Sequence, residues 1–458
     1  MGLPDRIGRS LFVALALGLA WGIRGDFGHV IGAMYPGAVL FLALAHVSGQ
    51  RGAFLWMPAL SALSAAAIGA GGTMSYGILH GYAQSDTFLN YAYGFLTLFL
   101  QGGAWGTFGG ALIGLLMERR PMRTGEWLGL LGSVFVGGWL FSFVLVNVLG
   151  FQINPPRNNT SVGFIGASLC QFAWLSRNDR RTGLRGALLG FLGFGLGMAT
   201  GRMLGNLSNV LQDVFGLTIN HWNVMEVSCG AIGGFIFAFG MVDREFPEPP
   251  EDEGLPFASF LGMIIVLGVV PLWHRLARVE TSAKLAEWAK ALKEYGHADP
   301  EGLASMTLTL MNGVCLMAFV GVGAWAFFHF RRRVRTACLP VFWLSLTMLL
   351  LQNMNALYFF YPTKTKTINM HNVFWVFFAL MVVHAVLYRI RPVIADDARR
   401  DDWPPWGRWL IVSFATLTLV VGLSGLINGP KTMATANTRW PIWNWREGPF
   451  PGTAPVTR

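Results

Sequence analysis

The sequence predicts an all-α integral membrane protein that crosses the bilayer many times. Hydrophobic residues make up 53% of the 458 residues and charged residues only 13%, whereas soluble domains carry about 25% charged residues. The mean hydropathy is +0.48. Apolar stretches of roughly 18 to 25 residues recur along the chain, and a helix of that length crosses about 30 Å of hydrocarbon. These observations favour a polytopic helical bundle over a soluble fold.

We predict about thirteen transmembrane helices. The first apolar stretch, Leu11 to Ile23, could be the core of a signal peptide, but no small-residue cleavage site follows it, so we expect a retained span. The predicted spans are 9–24, 30–47, 54–74, 98–117, 126–148, 161–176, 185–205, 222–241, 255–273, 305–329, 337–360, 370–388 and 408–428.

The distribution of arginine predicts the orientation of these spans. Short cytoplasmic loops are enriched in Lys and Arg, which sets the topology of membrane proteins. With a cytoplasmic N-terminus, the inner segments carry most of the arginines: Arg6, Arg9, Arg51, Arg119, Arg120, Arg123, Arg177, Arg180, Arg181, Arg185, Arg244, Arg331, Arg332, Arg333, Arg335, Arg389, Arg391, Arg399, Arg400 and Arg408. All six lysines fall on the other side. We therefore expect the N-terminus in the cytoplasm and the C-terminus outside, in a bacterial cytoplasmic (inner) membrane.

The formal net charge of +10 does not indicate a nucleic-acid partner. The basic residues lie mostly in short loops between spans, as topology control requires, and not in a continuous groove. The four cysteines, Cys170, Cys229, Cys315 and Cys338, have no paired spacing, which argues against a disulfide framework and against a zinc site. We interpret them as buried structural thiols.

Glycine content divides the chain into two parts. Residues 1–245 hold 43 of the 57 glycines. We interpret this first part as a bundle of four repeated transmembrane hairpins, 1–50, 51–120, 121–180 and 181–245. It is followed by an acidic, proline-rich cytoplasmic linker (246–254), a five-span C-terminal bundle (255–430) and a Trp-rich extracytoplasmic tail (431–458).

Several glycines recur at every fourth residue and predict close packing between helices. Lipid is as apolar as leucine, so helices in a bilayer associate by close van der Waals approach, which stripes of small residues permit. The stripes are Gly18 and Gly22; Gly106, Gly110 and Gly114; Gly193, Gly197, Gly201 and Gly205; and Gly230 and Gly234. The same glycine faces could also bind a second copy of the chain or another membrane subunit.

An outer segment, 275–304, interrupts the C-terminal bundle. Leu285, Trp288, Ala289 and Leu292 fall on one helical face, and Glu280/Lys284 and Lys290/Glu294 are spaced as i,i+4 pairs. The pattern predicts an amphipathic helix lying on the outer membrane surface.

Familiar catalytic signatures are missing from the sequence. It contains no His-Glu-x-x-His, no Gly-x-Ser-x-Gly and no phosphate-binding loop. The histidines include no i,i+4 pair of ligands, so we expect no metal site. Nothing in the sequence indicates a cofactor.

Polar residues within spans are therefore the candidates for a functional site. An ionisable residue at membrane depth costs roughly 2.5–3.5 kcal/mol on insertion scales, so it usually faces a partner or a cavity. Arg202 near the outer end of the seventh span and Glu226 near the start of the eighth should share a level, either as a structural ion pair or as part of a binding site. The remaining candidates in the first part of the chain are Arg24, Asp26, His29, Tyr76, His80 and Asn206.

A second group of polar residues lies in the C-terminal part. Gln352, Asn353 and Asn355 interrupt the eleventh predicted span, and His371 opens the twelfth. An unpaired amide in hydrocarbon costs several kcal/mol, roughly, so these amides must find hydrogen-bond partners. We expect both groups to converge in an outward-facing polar site, with a dry inner half of the bundle.

Three functions fit this pattern. The first is a transporter for a small polar or anionic solute, in which the arginines attract the solute, Asp26 or Glu226 couples a proton or Na⁺, and the amides bind the substrate. The second is a membrane enzyme with an outward-facing site that acts on a lipid-linked or cell-envelope glycan. The third is a non-catalytic subunit of a membrane complex. The sequence does not decide whether the protein is an enzyme.

Overall fold

The computed structural model describes residues 1–85, 88–155, 160–249, 261–262, 264–278, 281–330, 338–360, 367–388, 390–392 and 405–428. The helices are α1 (Leu3–Ile23), α2 (His29–Ser48), α3 (Arg51–Gly71), α4 (Gly77–Tyr82), α5 (Phe88–Leu116), α6 (Thr124–Ser142), α7 (Thr160–Arg177), α8 (Arg181–Phe215), α9 (His221–Met241), α10 (Val270–Arg278), α11 (Thr281–Glu294), α12 (Pro300–Phe330), α13 (Cys338–Asn355), α14 (Met370–Leu387) and α15 (Trp406–Asn428). A 3₁₀ turn (Arg24–Phe27) follows α1, and π-helical turns extend α6 (Phe143–Val148) and precede α10 (Ile264–Val269).

The chain is an all-α integral membrane protein. Among the described residues, nine helices are long and apolar enough to cross a membrane, judged by length and composition. These nine coincide with nine of the predicted spans. The other four predictions fall on α5, α7, α13 and the α10 region, although residues 255–260 lie outside the described part of the chain.

Backbone contact at glycine joins α5 to α8. A Cβ on Gly110 would lie 2.2 Å from the carbonyl oxygen of Gly186, and a Cβ on Gly190 would lie 2.2 Å from that of Gly106. Separations this short leave no room for a side chain, so only glycine allows the two antiparallel helices to lie so close. The predicted packing role of the α5 stripe is confirmed.

Two further seams extend this packing to α9 and α1. A Cβ on Gly197 would lie 2.6 Å from the Cys229 carbonyl oxygen, and one on Gly201 would lie 2.6 Å from that of Met225. Across the next seam, a Cβ on Gly230 would lie 2.3 Å from the Leu17 carbonyl oxygen. The order α5–α8–α9–α1 therefore forms a slab joined by backbone contacts, which we call the glycine slab.

Arginines that were predicted to share the inner side gather at one end of the bundle, which we call the arginine end. Arg6 pairs with Asp243, and Arg119 lies 3.2 Å from Glu245. The fully buried Arg180 bonds to Glu118 at 3.1 Å and to Glu126 at 2.6 Å. These contacts tie together the chain ends of α1, α5, α6, α8 and α9. Several of these charges are buried, so buried polar networks are not confined to one end of the bundle.

The proline-rich linker begins at this same end. Gln50 donates to the Arg244 carbonyl at 2.7 Å and accepts from the Phe246 amide at 2.7 Å. Trp56 donates to the Pro247 carbonyl at 3.0 Å. These bonds attach the start of the linker to α3, and its residues 250–254 lie outside the described part, as does the Trp-rich tail.

The amphipathic segment forms α11 as predicted, but its apolar face has a different partner. Trp288 and Leu292 are buried, and α11 packs on α12. The protein itself therefore covers this face, and the position of the helix at the outer membrane surface stays a prediction. Lys284 pairs with Glu287 at 2.7 Å, and Glu280 lies outside the described residues.

Two loops pair as a short parallel ladder that the sequence analysis did not predict. Strand β1 (Thr218–Ile219), before α9, pairs with β2 (Thr367–Ile368), before α14. Two residues are too few to show the alternation by which a strand is recognised in a sequence.

Of the cysteines, Cys229 and Cys315 are buried and Cys170 is half-buried, all as free thiols.

Candidate functional site

Arg24, Tyr76 and Glu226 form a buried cluster at the end of the bundle opposite the arginine end. Helix α1 continues into the 3₁₀ turn, and Gly28, at φ +86°, ends that turn before α2 begins. This break holds Arg24 where it is 1% exposed. Its Nη2 donates to Glu226 Oε1 at 3.1 Å and to the Tyr76 hydroxyl, which donates to the same carboxylate oxygen at 2.8 Å. The three side chains form a closed ion-pair network.

Aromatic rings enclose the Arg24 guanidinium. Its central carbon lies 5.6 Å from the Trp21 ring centroid, 5.3 Å from that of Tyr76 and 5.0 Å from that of Trp105. Trp105 is itself fixed by a 2.6 Å bond from its indole nitrogen to the Ile68 carbonyl. Ring faces attract a cation most strongly where water is excluded. The rings and the carboxylate together stabilise the charge of Arg24.

The ion pair predicted between Arg202 and Glu226 is wrong. The two residues do share a level, since Gly201 of α8 contacts the Met225 carbonyl of α9. Their side chains, however, have different partners: Glu226 pairs with Arg24, and Arg202 bonds to Asn206. Sequence spacing gives the height of a residue along a helix but does not select its partner among several helices.

Arg202 lies in a second cluster made of neutral groups. Its Nη2 donates to the Asn206 Oδ1, and its Nη1 lies 3.4 Å from His80 Nδ1. With the Gln84 amide turned so that its oxygen faces Arg202, that oxygen accepts from Nη1 at 3.0 Å. Asn206 in turn donates to Ser424 of α15 at 2.8 Å. The cluster thus joins α4, α8 and α15.

Arg202 differs from Arg24 in the charge around it. It is 2% exposed, yet within the described parts of the chain no carboxylate lies within ion-pair distance of it. Burial, and secondly the charge of Arg202, lower the pKa of His80 well below its usual value. A neutral imidazole can accept a hydrogen bond from a guanidinium. The cluster therefore carries a buried positive charge that its own side chains do not neutralise.

Aromatic contacts connect the two clusters. The His80 ring lies 4.8 Å from that of Trp222 and 5.8 Å from that of Tyr76. Tyr76, His80 and Gln84 are spaced four residues apart: Tyr76 directly precedes α4, His80 lies within it, and Gln84 lies in the turn that follows it. Gln84, Trp222 and Ser424 are not among the residues predicted from the sequence. The four-residue spacing was the available signal for Gln84.

The C-terminal amides form a separate network. Gln352 Nε2 lies 3.2 Å from His371 Nε2, and Trp375 donates to Asn353 at 3.3 Å. Asn353 also donates to Gln352 at 3.1 Å. These bonds connect α13 to α14 and include neither arginine cluster, so the predicted single site divides into two. Asn355 is half-buried, and its Oδ1 lacks a partner among the described residues.

Asp26 and His29 lie beside the first cluster. Asp26 is half-buried in the 3₁₀ turn, close enough to Glu226 for their charges to interact. His29 is exposed, and its carbonyl oxygen would lie 2.1 Å from a Cβ on Gly72. The backbone of His29 therefore packs closely against the end of α3.

A cavity opens at the arginine end of the bundle. Its volume is about 720 Å³, and it lies between α8, α9 and α15. The lining residues are Arg6, Arg185, Leu189, Leu192, Leu196, Phe235, Ile236, Phe239, Gly240, Asp243, Arg244, Pro405, Trp409, Val412 and Ser413. Most of the lining is apolar, with charged groups at one end.

Metal-ligand geometry and similarity to known proteins give no further assignment. Among the described residues, no three His, Cys, Asp or Glu side chains are grouped closely enough to hold a metal ion. No protein-family model, no curated protein and no solved structure matches this chain.

Proposed function

We propose that this protein is a membrane transporter for a small anionic or polar solute, and that Arg202 attracts the solute. The supporting observation is the buried charge of Arg202, which among the described residues bonds to the neutral groups of Asn206, His80 and Gln84. A charged side chain at membrane depth costs several kcal/mol, roughly, unless a partner offsets that cost. An anionic solute would be that partner, bound by the planar guanidinium through two parallel hydrogen bonds.

The Arg24–Glu226 pair is proposed as the coupling element. Protonation of Glu226, or Na⁺ bound at its carboxylate, would weaken its ion pair with Arg24. Tyr76 bonds to both residues and its ring contacts that of His80, so a change at this pair has a route to the Arg202 cluster. Asp26, half-buried beside Glu226, would raise the affinity of this region for a cation.

The central experiment is ligand-dependent stabilisation of the purified protein. A solute present at one hundred times its Kd stabilises a protein by about 2.7 kcal/mol. Phosphate, sulfate, carboxylates and amino acids would be screened by thermal unfolding, and any hit tested for flux in proteoliposomes. We expect Arg202→Gln to lose both signals and Arg119→Gln, an exposed arginine at the other end, to keep them. Equal stabilisation and flux in the two variants would refute the role of Arg202.

A finer membrane arrangement accompanies this proposal: thirteen spans, an N-terminus in the cytoplasm and a C-terminus outside, in a bacterial inner membrane. The positive-inside bias supports it, because the arginines gather at one end of the bundle. Thr73 is exposed near the end with the two clusters and Arg123 is exposed near the arginine end. In intact cells, a membrane-impermeant thiol reagent should label Thr73→Cys and spare Arg123→Cys. The reverse labelling would invert the topology.

An outward-facing membrane enzyme acting on a lipid-linked or cell-envelope glycan is the second candidate. It is favoured by the Tyr76 hydroxyl bonded to Glu226 beside an arginine, since these groups can transfer a proton and hold an anion. Product analysis by mass spectrometry after incubation with envelope lipids separates the two candidates. A chemically altered product would favour the enzyme, and unaltered solute inside the vesicle would favour transport.

A subunit of a membrane complex is the third candidate. The glycine stripes of α1, α5, α8 and α9 are in contact with one another inside the chain. A glycine-mediated contact with a partner would use other positions, such as Gly125 and Gly132 of α6, beside which there is open space. Crosslinking from these two positions in membranes would test this candidate.

A further inference from the structure

The cavity at the arginine end has two chemically different regions. Three arginines and one aspartate lie at its charged end, a net excess of two positive charges among the described lining residues (three minus one). The Arg185 guanidinium lies over the Trp409 ring at 5.5 Å, and Asp243 pairs with Arg6 and lies 3.8 Å from Arg244. Guanidinium groups at such a position recognise phosphate oxygens through charge-assisted hydrogen bonds.

The rest of the cavity is apolar and follows α8 towards the middle of the bundle. Leu189, Leu192 and Leu196 lie on this side, with Phe235 and Ile236 of α9 opposite. From Arg185 to Leu196 the helix rises by about 16 Å, at 1.5 Å per residue. Half of the hydrocarbon core of a bilayer is about 15 Å thick. The cavity therefore has the length of one leaflet.

The third wall of the cavity faces the surroundings of the protein. On α15, Val412 lines the cavity and is 61% exposed, and its neighbour Ile411 is 71% exposed. A membrane helix that exposes such residues faces acyl chains. A molecule in the cavity can therefore exchange sideways with the bilayer.

We propose that this cavity binds an anionic phospholipid from the leaflet at the arginine end. Its phosphate lies among Arg6, Arg185 and Arg244, and one acyl chain runs along Leu189, Leu192 and Leu196. Basic pockets between transmembrane helices bind anionic headgroups in this way. A free phosphate would use the arginines alone and leave the apolar length unfilled. The lipid site is separate from the Arg202 cluster and stands whatever solute that cluster binds.

Native mass spectrometry of the full chain tests the proposal. Detergent-purified protein would be titrated with dioleoylphosphatidylglycerol, with zwitterionic dioleoylphosphatidylcholine, and with glycerol 3-phosphate as the headgroup alone. We expect the anionic lipid to be retained in preference to the other two. The double variant Arg185→Gln/Arg244→Gln should weaken its binding about thirtyfold, since each basic residue near an anionic lipid contributes about fivefold to affinity.

A cavity-filling variant provides an independent arm. Leu192→Trp leaves the arginines in place and occupies the apolar part, so it should also displace the lipid. Arg51→Gln, at the same end but outside the lining, is the matched control and should bind as wild type does. If the arginine variant does not fold, Leu192→Trp decides. Equal retention of the two lipids, displacement of the lipid by glycerol 3-phosphate at equal concentration, or unchanged binding in Leu192→Trp would each overturn the proposal.

Discussion

Removing one partner of the Arg24–Glu226 pair should destabilise the protein strongly. Removing the second partner in addition should change the stability little further. The atoms lie 3.1 Å apart and the side chains are 1% and 9% exposed. At an effective dielectric constant of about 20, two unit charges at this distance interact by about 5 kcal/mol. Breaking a buried pair by removing one partner costs about 3–5 kcal/mol, because the remaining charge stays buried. We therefore expect Arg24→Gln and Glu226→Gln each to cost about 4 kcal/mol.

The double variant should cost little more than either single one, which gives a coupling energy of about 4 kcal/mol. The assay is unfolding of the detergent-solubilised protein in increasing SDS, followed by tryptophan fluorescence. Arg119 and Glu245 form the matched control pair, at 3.2 Å but 65% and 34% exposed. Their coupling should be below about 1 kcal/mol. Additive costs at Arg24 and Glu226, as in two independent positions, would refute our account of a coupled buried pair.

Three other predictions follow from the packing and charge of the described residues. Gly190→Ala should destabilise the protein by about 1–3 kcal/mol in the same SDS assay, because its methyl group would meet the Gly106 carbonyl at 2.2 Å. Gly132→Ala is the control: there is open space beside this residue, so the substitution should be neutral or slightly stabilising. Arg202→Gln should leave unfolding in the absence of solute unchanged or shift it to higher SDS, since it removes a buried charge that no described carboxylate offsets. A loss of stability as large as that of Arg24→Gln would contradict this prediction. Burial lowers the pKa of His80, so the unfolded state binds more protons below pH about 6.5 and stability should fall as the pH drops from 7 to 5. Thermal unfolding across that range should show a shallower fall in His80→Gln, and parallel curves would contradict it.

The sequence was sufficient to predict nine apolar helices of membrane-spanning length among the described residues, and the close packing at the glycine stripes. Apolar length identifies a span without knowledge of its neighbours, because the bilayer sets the requirement. The four-residue recurrence of Gly106, Gly110 and Gly114 likewise identifies a face that another helix approaches. The pattern does not name the partner helix. That α8 lies against both α5 and α9 depends on the three-dimensional order of the bundle.

The candidate site was predicted less well, because its contacts join residues far apart in the chain. Arg24 and Glu226 are separated by 202 positions, and no local spacing connects them. The sequence placed Arg202 and Glu226 at the same height correctly and still assigned the wrong pair. Gln352 and Asn353 of α13 have partners on α14, so they do not need the arginine clusters to satisfy these hydrogen bonds. Polar residues in a membrane protein predict that a partner exists and leave its identity open.

The glycine slab restricts how this protein can change shape. Helices that touch through their backbones cannot slide past one another without carbonyl oxygens colliding, so α5, α8, α9 and α1 should move as one rigid body. Arg24, Glu226 and Arg202 all belong to that body. The end of α4 meets this body through backbone as well, since a Cβ on Gly94 of α5 would lie 2.2 Å from the Ala83 amide nitrogen. Helix α15 is joined to it through Ser424, whose hydroxyl accepts a hydrogen bond from Asn206 at 2.8 Å. A conformational change that keeps the slab intact therefore displaces the Ser424 hydroxyl of α15 relative to Asn206 and Arg202.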